Sequence, residues 1–156
     1  MRPVTVSMTA RQSPQEVFAL LNVLENHESF TDHFLVDWRL SGPRSGVGAR
    51  ARMRVKKPGP DDFLMMQVVA AERPKMTAQE SVGAAGRRRT LGTYRLEGLP
   101  GGGTRISFEL AWLEAPFAER LARAAHPGGR QRNNRRSLRR LVERLGRRPP
   151  VQGGIR

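Results

Sequence analysis

The sequence predicts an α+β fold, a curved antiparallel sheet of about six to seven strands wrapped around a long C-terminal helix, with two short helices after the first strand. Two observations lead there. From Leu35 to Leu113 apolar and polar residues alternate with period two, and short Gly- or Pro-containing turns join the runs, as in hairpin-linked strands. From Pro116 to Gly146 the period changes. Leu138, Leu141, Val142 and Leu145 fall at i, i+3, i+4 and i+7, one stripe of an amphipathic helix, and nearly everything off that stripe is arginine. A sheet with one wet face buries the other, and only this terminal segment is long enough to cover it.

The elements follow in order. Val4, Val6 and Met8 alternate with Thr5, Ser7 and Thr9, a half-buried strand. Ser13 then reads as an N-cap, Pro14 as the first helical residue and Glu16 as the partner that closes a capping box. Val17, Leu20, Leu21 and Leu24 supply that helix's apolar stripe, and a second helical turn is expected from Asn26 to Phe34. Val36, Trp38 and Leu40 alternate with Asp37 and Arg39. Turn residues from Gly42 to Gly46 precede the clearest strand, with Val47, Ala49, Ala51, Met53 and Val55 on one face and Arg50, Arg52, Arg54 and Lys56 on the other. The small residues on its buried face leave volume for something other than side chains.

Phe63 to Ala71 is apolar on both faces except for Gln67, and Pro74 ends it. Met76, Ala78, Glu80 and Val82 alternate with Thr77, Gln79 and Ser81. After the turn from Gly83 to Gly86, Gly92, Tyr94 and Leu96 share one face of a strand from Arg87 to Glu97. The loop Pro100–Gly103 leads to the last strand, with Ile106, Phe108, Leu110 and Trp112 on one side. In the terminal segment Pro127-Gly128-Gly129 interrupts the helix, because proline removes a donor and glycine loosens the backbone. One long kinked helix is expected, with two helices and a solvated joint as the alternative. Helical steps back from Leu138 land on Asn134 and Gln131, so the stripe turns polar after the interruption, as suits a helix over a cavity.

At 156 residues the chain is read as one domain, 1–148, with a flexible tail, 149–156. It has no cysteine, which excludes disulfides, thiolate metal sites and thiol nucleophiles. No apolar run approaches the ~20 residues that span a bilayer, and the N-terminus reads straight into a strand pattern without a signal-peptide core. A cytoplasmic location is the expectation. The formal charge of +14 draws anionic polymers or lipids, yet only Lys56, Lys57 and Lys75 are lysines. Abundant Arg, Ala, Gly and Pro are also what a GC-rich genome encodes.

This order of elements resembles the helix-grip fold of the START-like, or SRPBCC, superfamily, which includes polyketide cyclase/dehydrase-type proteins. The resemblance runs from Val4 to about Leu145. It is carried by Ser-Pro-Gln-Glu-Val-Phe at 13–18, Gly-Val-Gly-Ala-Arg-Ala-Arg at 46–52, Gly92-Thr93-Tyr94-Arg95-Leu96, Gly103-Thr104-Arg105-Ile106-Ser107-Phe108, and the helix from Asn134 to Leu141. It implies a deep cavity between sheet and helix that takes a lipid, a polyketide or another hydrophobic molecule. The superfamily has no universal catalytic set, so no catalytic role transfers.

Motifs that carry chemistry are few. Gly101-Gly102-Gly103 sits in a hairpin and not between a strand and a helix, which excludes a phosphate loop. His27, His33 and His126 have no partners at metal-ligand spacing, although His27 and His33 lie near Asp32 and Asp37. No metal and no cofactor are expected, and His33 reads as a surface or cap residue. Glu80 is the one catalytic candidate. Buried on the face of Ala78 and Val82 it would carry a raised pKa, the preparation for a general acid or base; at the rim it would meet an arginine. Gln67, Tyr94, Asn134 and Gln131 are expected as polar ligand contacts, with Trp38, Ala51, Met53, Met65 and Phe108 lining an apolar pocket.

Two functions follow. The first is binding of a hydrophobic small molecule, lipid- or polyketide-like, between sheet and C-terminal helix, with cyclase or dehydratase activity left undecided. The second is a basic module for nucleic acid or anionic membrane, through Arg132, Arg136, Arg139, Arg140, Arg144 and Arg147. No aromatic residues interleave with those arginines, so base-stacking platforms are absent and no specific nucleic acid is expected. Peripheral contact with an anionic membrane and the oligomeric state stay open. The small-molecule reading ranks first.

Overall fold

The computed structural model describes residues 1–126 and 128–147. Strand β1 (Val4–Ala10) leads to α1 (Pro14–Leu21), a 3-10 turn (Leu24–His27) and the single-turn α2 (Glu28–Thr31). Then come β2 (Leu35–Ser41), β3 (Arg50–Val55), β4 (Phe63–Glu72), β5 (Met76–Gly83), β6 (Arg88–Gly98) and β7 (Thr104–Glu114). Helices α3 (Phe117–Ala125) and α4 (Gly129–Gly146) follow. All seven strands form one antiparallel sheet in the order β1-β7-β6-β5-β4-β3-β2. From β2 to β7 each strand pairs with its sequence neighbour, and β1 joins the far edge beside β7. Register shifts at Val36/Arg39, Val68/Ala70 and Arg89/Thr90 mark bulges that bend the strands and let the sheet curl.

Local chemistry accounts for the framing elements. Ser13 Oγ accepts from the Glu16 backbone N–H at 3.2 Å, and Glu16 Oε1 accepts from the Ser13 N–H at 3.3 Å, so the expected capping box forms. This helix buries Val17, Phe18, Leu20 and Leu21 against the sheet. The concave side holds two apolar clusters. One joins Val6, Phe18, Tyr94 and Ile106 to Leu138, Leu141 and Leu145 of α4; the other gathers Leu24, Leu35, Ala49, Ala51, Met53, Met66 and Val68. A space remains between them.

Four expectations need correction. The terminal segment is two helices, not one kinked rod. α3 stops at Ala125, and His126 has φ −133° and ψ 74°, outside helical geometry. Pro127 itself and the tail 149–156 lie outside the described residues. α3 buries no residue, and its Phe117 and Leu121 are exposed, so α4 alone contributes apolar contacts to the core. Val47 is exposed and precedes β3, because the positive φ angles at Gly46 and Gly48 turn the backbone there. The early helical turn begins at Leu24 and ends at Thr31 rather than spanning Asn26 to Phe34.

The fourth correction moves a whole face. Thr77, Gln79 and Ser81 of β5 point inward, and Glu80 points outward. Cross-strand partners share a face: Thr77 sits opposite Tyr94, Gln79 opposite Gly92 and Ser81 opposite Thr90, all on the concave side. The same alternation places Leu64, Met66 and Val68 of β4 inward, and Met65 and Gln67 outward.

Candidate functional site

The space between the clusters is a cavity of about 70 Å3. Its floor is the concave sheet, contributed by Leu64 and Met66 of β4, Gln79 and Ser81 of β5, Thr90, Gly92 and Tyr94 of β6, and Phe108 and Leu110 of β7. His27, Thr31, Phe34, Leu35 and Trp38 wall one side. Arg130, Asn134 and Ser137 of α4 close the top. Gly92 sits beneath the Phe108 ring. A Cβ there would lie 3.0 Å from the Phe108 ring, so glycine lets that ring settle onto the strand.

Polar groups converge on this space. Asn134 is buried, and its Nδ2 has no hydrogen-bond partner among the described residues. Buried amides left unpaired cost about 1–3 kcal/mol, so an interior that keeps one is arranged for a guest or for water. The Tyr94 ring lies 4.5 Å from Phe108 and edge-on to His27 at 5.8 Å, and burial pushes its hydroxyl pKa well up. It is therefore a neutral donor at any physiological pH. His27 Nε2 lies 2.8 Å from the Leu21 carbonyl, which requires the N–H on that nitrogen and leaves Nδ1 as an acceptor.

The mouth of the cavity lies where the end of β3, the start of β6 and the first turn of α4 meet. Val55, Arg88 and Arg130 line both the cavity and an outer groove of about 760 Å3, whose far wall includes Trp112, Glu119 and Arg123. Arg88 is buried and donates to Asp62 Oδ2 at 2.8 Å and to Glu119 Oε1 at 2.7 Å, pinning α3 to the sheet. Arg123 stacks on Trp112 with 3.9 Å from guanidinium carbon to ring centroid. At the other side of α4, His33 in the turn after α2 holds that helix: its Nδ1 accepts from Arg140 at 3.1 Å, and its Nε2 donates to the Asn133 carbonyl at 3.3 Å.

The residues expected at the site divide clearly. Trp38, Tyr94, Phe108 and Asn134 line the cavity together. Ala51 and Met53 face inward but are fully buried in the apolar cluster beside it, filled core rather than wall. Met65 and Gln67 lie on the convex face, because their β4 neighbours take the inner positions. Gln131 is exposed on the outer side of α4, close to Gly128 and Arg132. Glu80 is also on the convex side, 3.1 Å from Arg89, which removes it as a general acid or base of the cavity. His33, expected as a surface or cap residue, is partly exposed and bonds α4 through the Asn133 carbonyl and Arg140. Among the described residues no three His, Asp or Glu side chains gather as a metal site requires.

Sequence reading missed His27, Gln79, Ser81, Arg88, Thr90 and Arg130. Counting strand pairs outward from the turn at Gly83–Gly86 would have found those on β5 and β6, since Gly83 pairs with Arg88, Ser81 with Thr90 and Gln79 with Gly92.

His27 also gives the fold a measurable pH dependence. Burial lowers its pKa to about 4 from 6.5, and the Leu21 hydrogen bond only partly opposes this. Between those values the unfolded chain binds a proton that the folded chain refuses, so this contribution is complete above about pH 6.5 and is lost as pH falls toward 4. At ~1.4 kcal/mol per pKa unit the loss is about 3 kcal/mol. Urea denaturation across this range should show it in the parent protein, and His27→Gln should flatten the slope. A variant with the parent's slope would assign the titration to another group.

No protein-family model matches the sequence, and no curated protein matches it. Solved structures do. TTHA0849 from Thermus thermophilus superposes with a TM-score of 0.70 at 22% identity, covering 92% of this chain and 97% of that one. The KanY protein superposes with a TM-score of 0.73 at 11% identity, covering 93% and 97%. Ara h 8.0201 gives a TM-score of 0.64 at 12% identity over 92% and 97%. The fold is helix-grip. At such identities the likeness is one of architecture, and the site must be argued from this chain's own residues. No helix among the described residues is long and apolar enough to cross a membrane.

Proposed function

We propose that this protein binds a small, largely apolar molecule in the helix-grip cavity, and that it does so in the cytoplasm. The observation that carries the reading is the unpaired Asn134 amide, buried in a cavity whose other walls are mainly apolar. At about 70 Å3 the inner space is well below the roughly 300–1,000 Å3 of pockets that enclose drug-sized ligands. It suits one ring or a short branched end, with the remainder of the molecule lying in the outer groove. That shape favours a compact polyketide-like ring over a long-chain lipid.

Orientation would come from hydrogen bonds to Asn134, Tyr94 and His27 Nδ1. A cyclase or dehydratase step would have to use these neutral groups, because Asp62 and Glu119 are committed to Arg88. The arginine-rich face of α4 is a weaker case. Arg140 is held by Asp32 and His33, and Arg144 donates to Ser29 Oγ at 2.8 Å, so two of its cations are already engaged.

Native mass spectrometry of the purified protein, followed by identification of what denaturation releases, tests the proposal. A bound species at one per chain with an aromatic or branched apolar part is expected. Protein that carries nothing and takes up neither 2-phenylethanol nor phenylacetate at millimolar concentration would refute it.

A further inference from the structure

The cavity mouth carries a cation that the protein leaves unmatched. Arg130 sits in the first turn of α4 and lines both the inner cavity and the outer groove. Its neighbours are accounted for: Arg88 holds Asp62 and Glu119, and Arg123 covers Trp112. Arg130 forms no ion pair among the described residues. Around it Lys57, Arg87, Arg88 and Arg123 outnumber Asp61, Asp62 and Glu119 along the groove. One turn further along α4, the unpaired amide of Asn134 faces the same cavity.

From this geometry we infer that the ligand bears a carboxylate, which Arg130 binds at the mouth while the apolar part enters beneath Asn134. This rests on the small-molecule reading and adds the chemical class of the ligand: an arylalkyl or comparable amphipathic carboxylic acid. A guanidinium offers two parallel N–H donors that match the two oxygens of a carboxylate, and a charge-assisted pair is shorter and stronger than a neutral one. Arg130 is half-buried at the mouth. Burial lowers its pKa, and the Arg88 and Arg123 cations add to that, while Glu119 and Asp62 oppose it. A half-buried cation gains more from an arriving anion than a fully solvated one, because less water competes for it. The aliphatic stem can at the same time pack along the ligand's apolar part.

The test compares two probes of similar shape, phenylacetate and 2-phenylethanol, by isothermal titration calorimetry at neutral pH. The acid should bind the parent protein about tenfold tighter than the alcohol. Arg130→Gln should abolish that preference, and Arg130→Lys should restore part of it. Arg136→Gln, on the exposed face of α4, should keep the full preference, which separates a site at the mouth from attraction to the basic surface as a whole. Thermal melts establish that each variant is folded. Equal affinity for the two probes, or a preference that survives Arg130→Gln, overturns the carboxylate assignment while the binding reading stands. Failure of both probes to bind the parent overturns both.

Discussion

Replacing Arg88 with methionine is expected to destabilise the protein by about 3–5 kcal/mol, the usual cost of removing one member of a buried ion pair. The Arg88 side chain is only 5% exposed, with Asp62 at 10% and Glu119 at 33%. Methionine fills similar volume, so the loss comes from stranding Asp62 rather than from a void. The Asp62 carboxyl shows what is at stake. Burial would raise its pKa, but the Arg88 hydrogen bond, the Ala84 N–H at 3.0 Å and the Arg88 charge outweigh burial and hold it below the usual value. Its contribution is therefore present above the unfolded pKa of 3.8 and is lost as pH falls through the lower folded value. Urea denaturation of Arg88→Met, Asp62→Asn and the double variant should give a cycle with a large coupling term. Near-additive single losses would mean that the pair is not what holds β6 to the groove.

Leu141→Ala should cost about 2–5 kcal/mol, in the range of large-to-small substitutions in well-packed cores. Leu141 is completely buried between Leu138 and Leu145 in the cluster that includes Val6 and Ile106. Phe117 in α3, although larger, is 73% exposed, and Phe117→Ala should cost little. The pair of variants separates the two helices that the sequence presented as one element. Denaturation midpoints that fall equally for both would contradict the assignment of the core to α4.

The fold was legible because its signals were redundant. The capping box at Ser13, the leucine spacing from 138 to 145 and the turns between strands each named one element, and their order named the architecture. The site was less legible for a physical reason. Phe63 to Ala71 is apolar on both sides, so β4 alone does not say which side is buried, and a one-residue slip exchanges faces. The apolar set of β5, Ala78 and Val82, suggested the inner face, yet pairing with β6 turns Gln79 and Ser81 inward. A cavity wall breaks the rule that the more apolar face is the buried one, and Met65, Gln67 and Glu80 were misplaced for that reason. Tyr94 and Phe108 were placed correctly because β6 and β7 each have only one plausible apolar side.

The space above Ser81 is a binding site and not a packing defect. Ser81 is buried, lines the cavity and lies opposite Thr90. Ser81→Leu would push an apolar side chain into that space. Calorimetric titration of this variant with 2-phenylethanol, paired with its urea denaturation curve, tests the claim most directly. Affinity lower by about tenfold or more is expected, with stability equal to or above the parent's, because the added methyl groups bury apolar surface in existing room. Unchanged affinity, or a loss of about 1–3 kcal/mol as in an overpacked core, would contradict it.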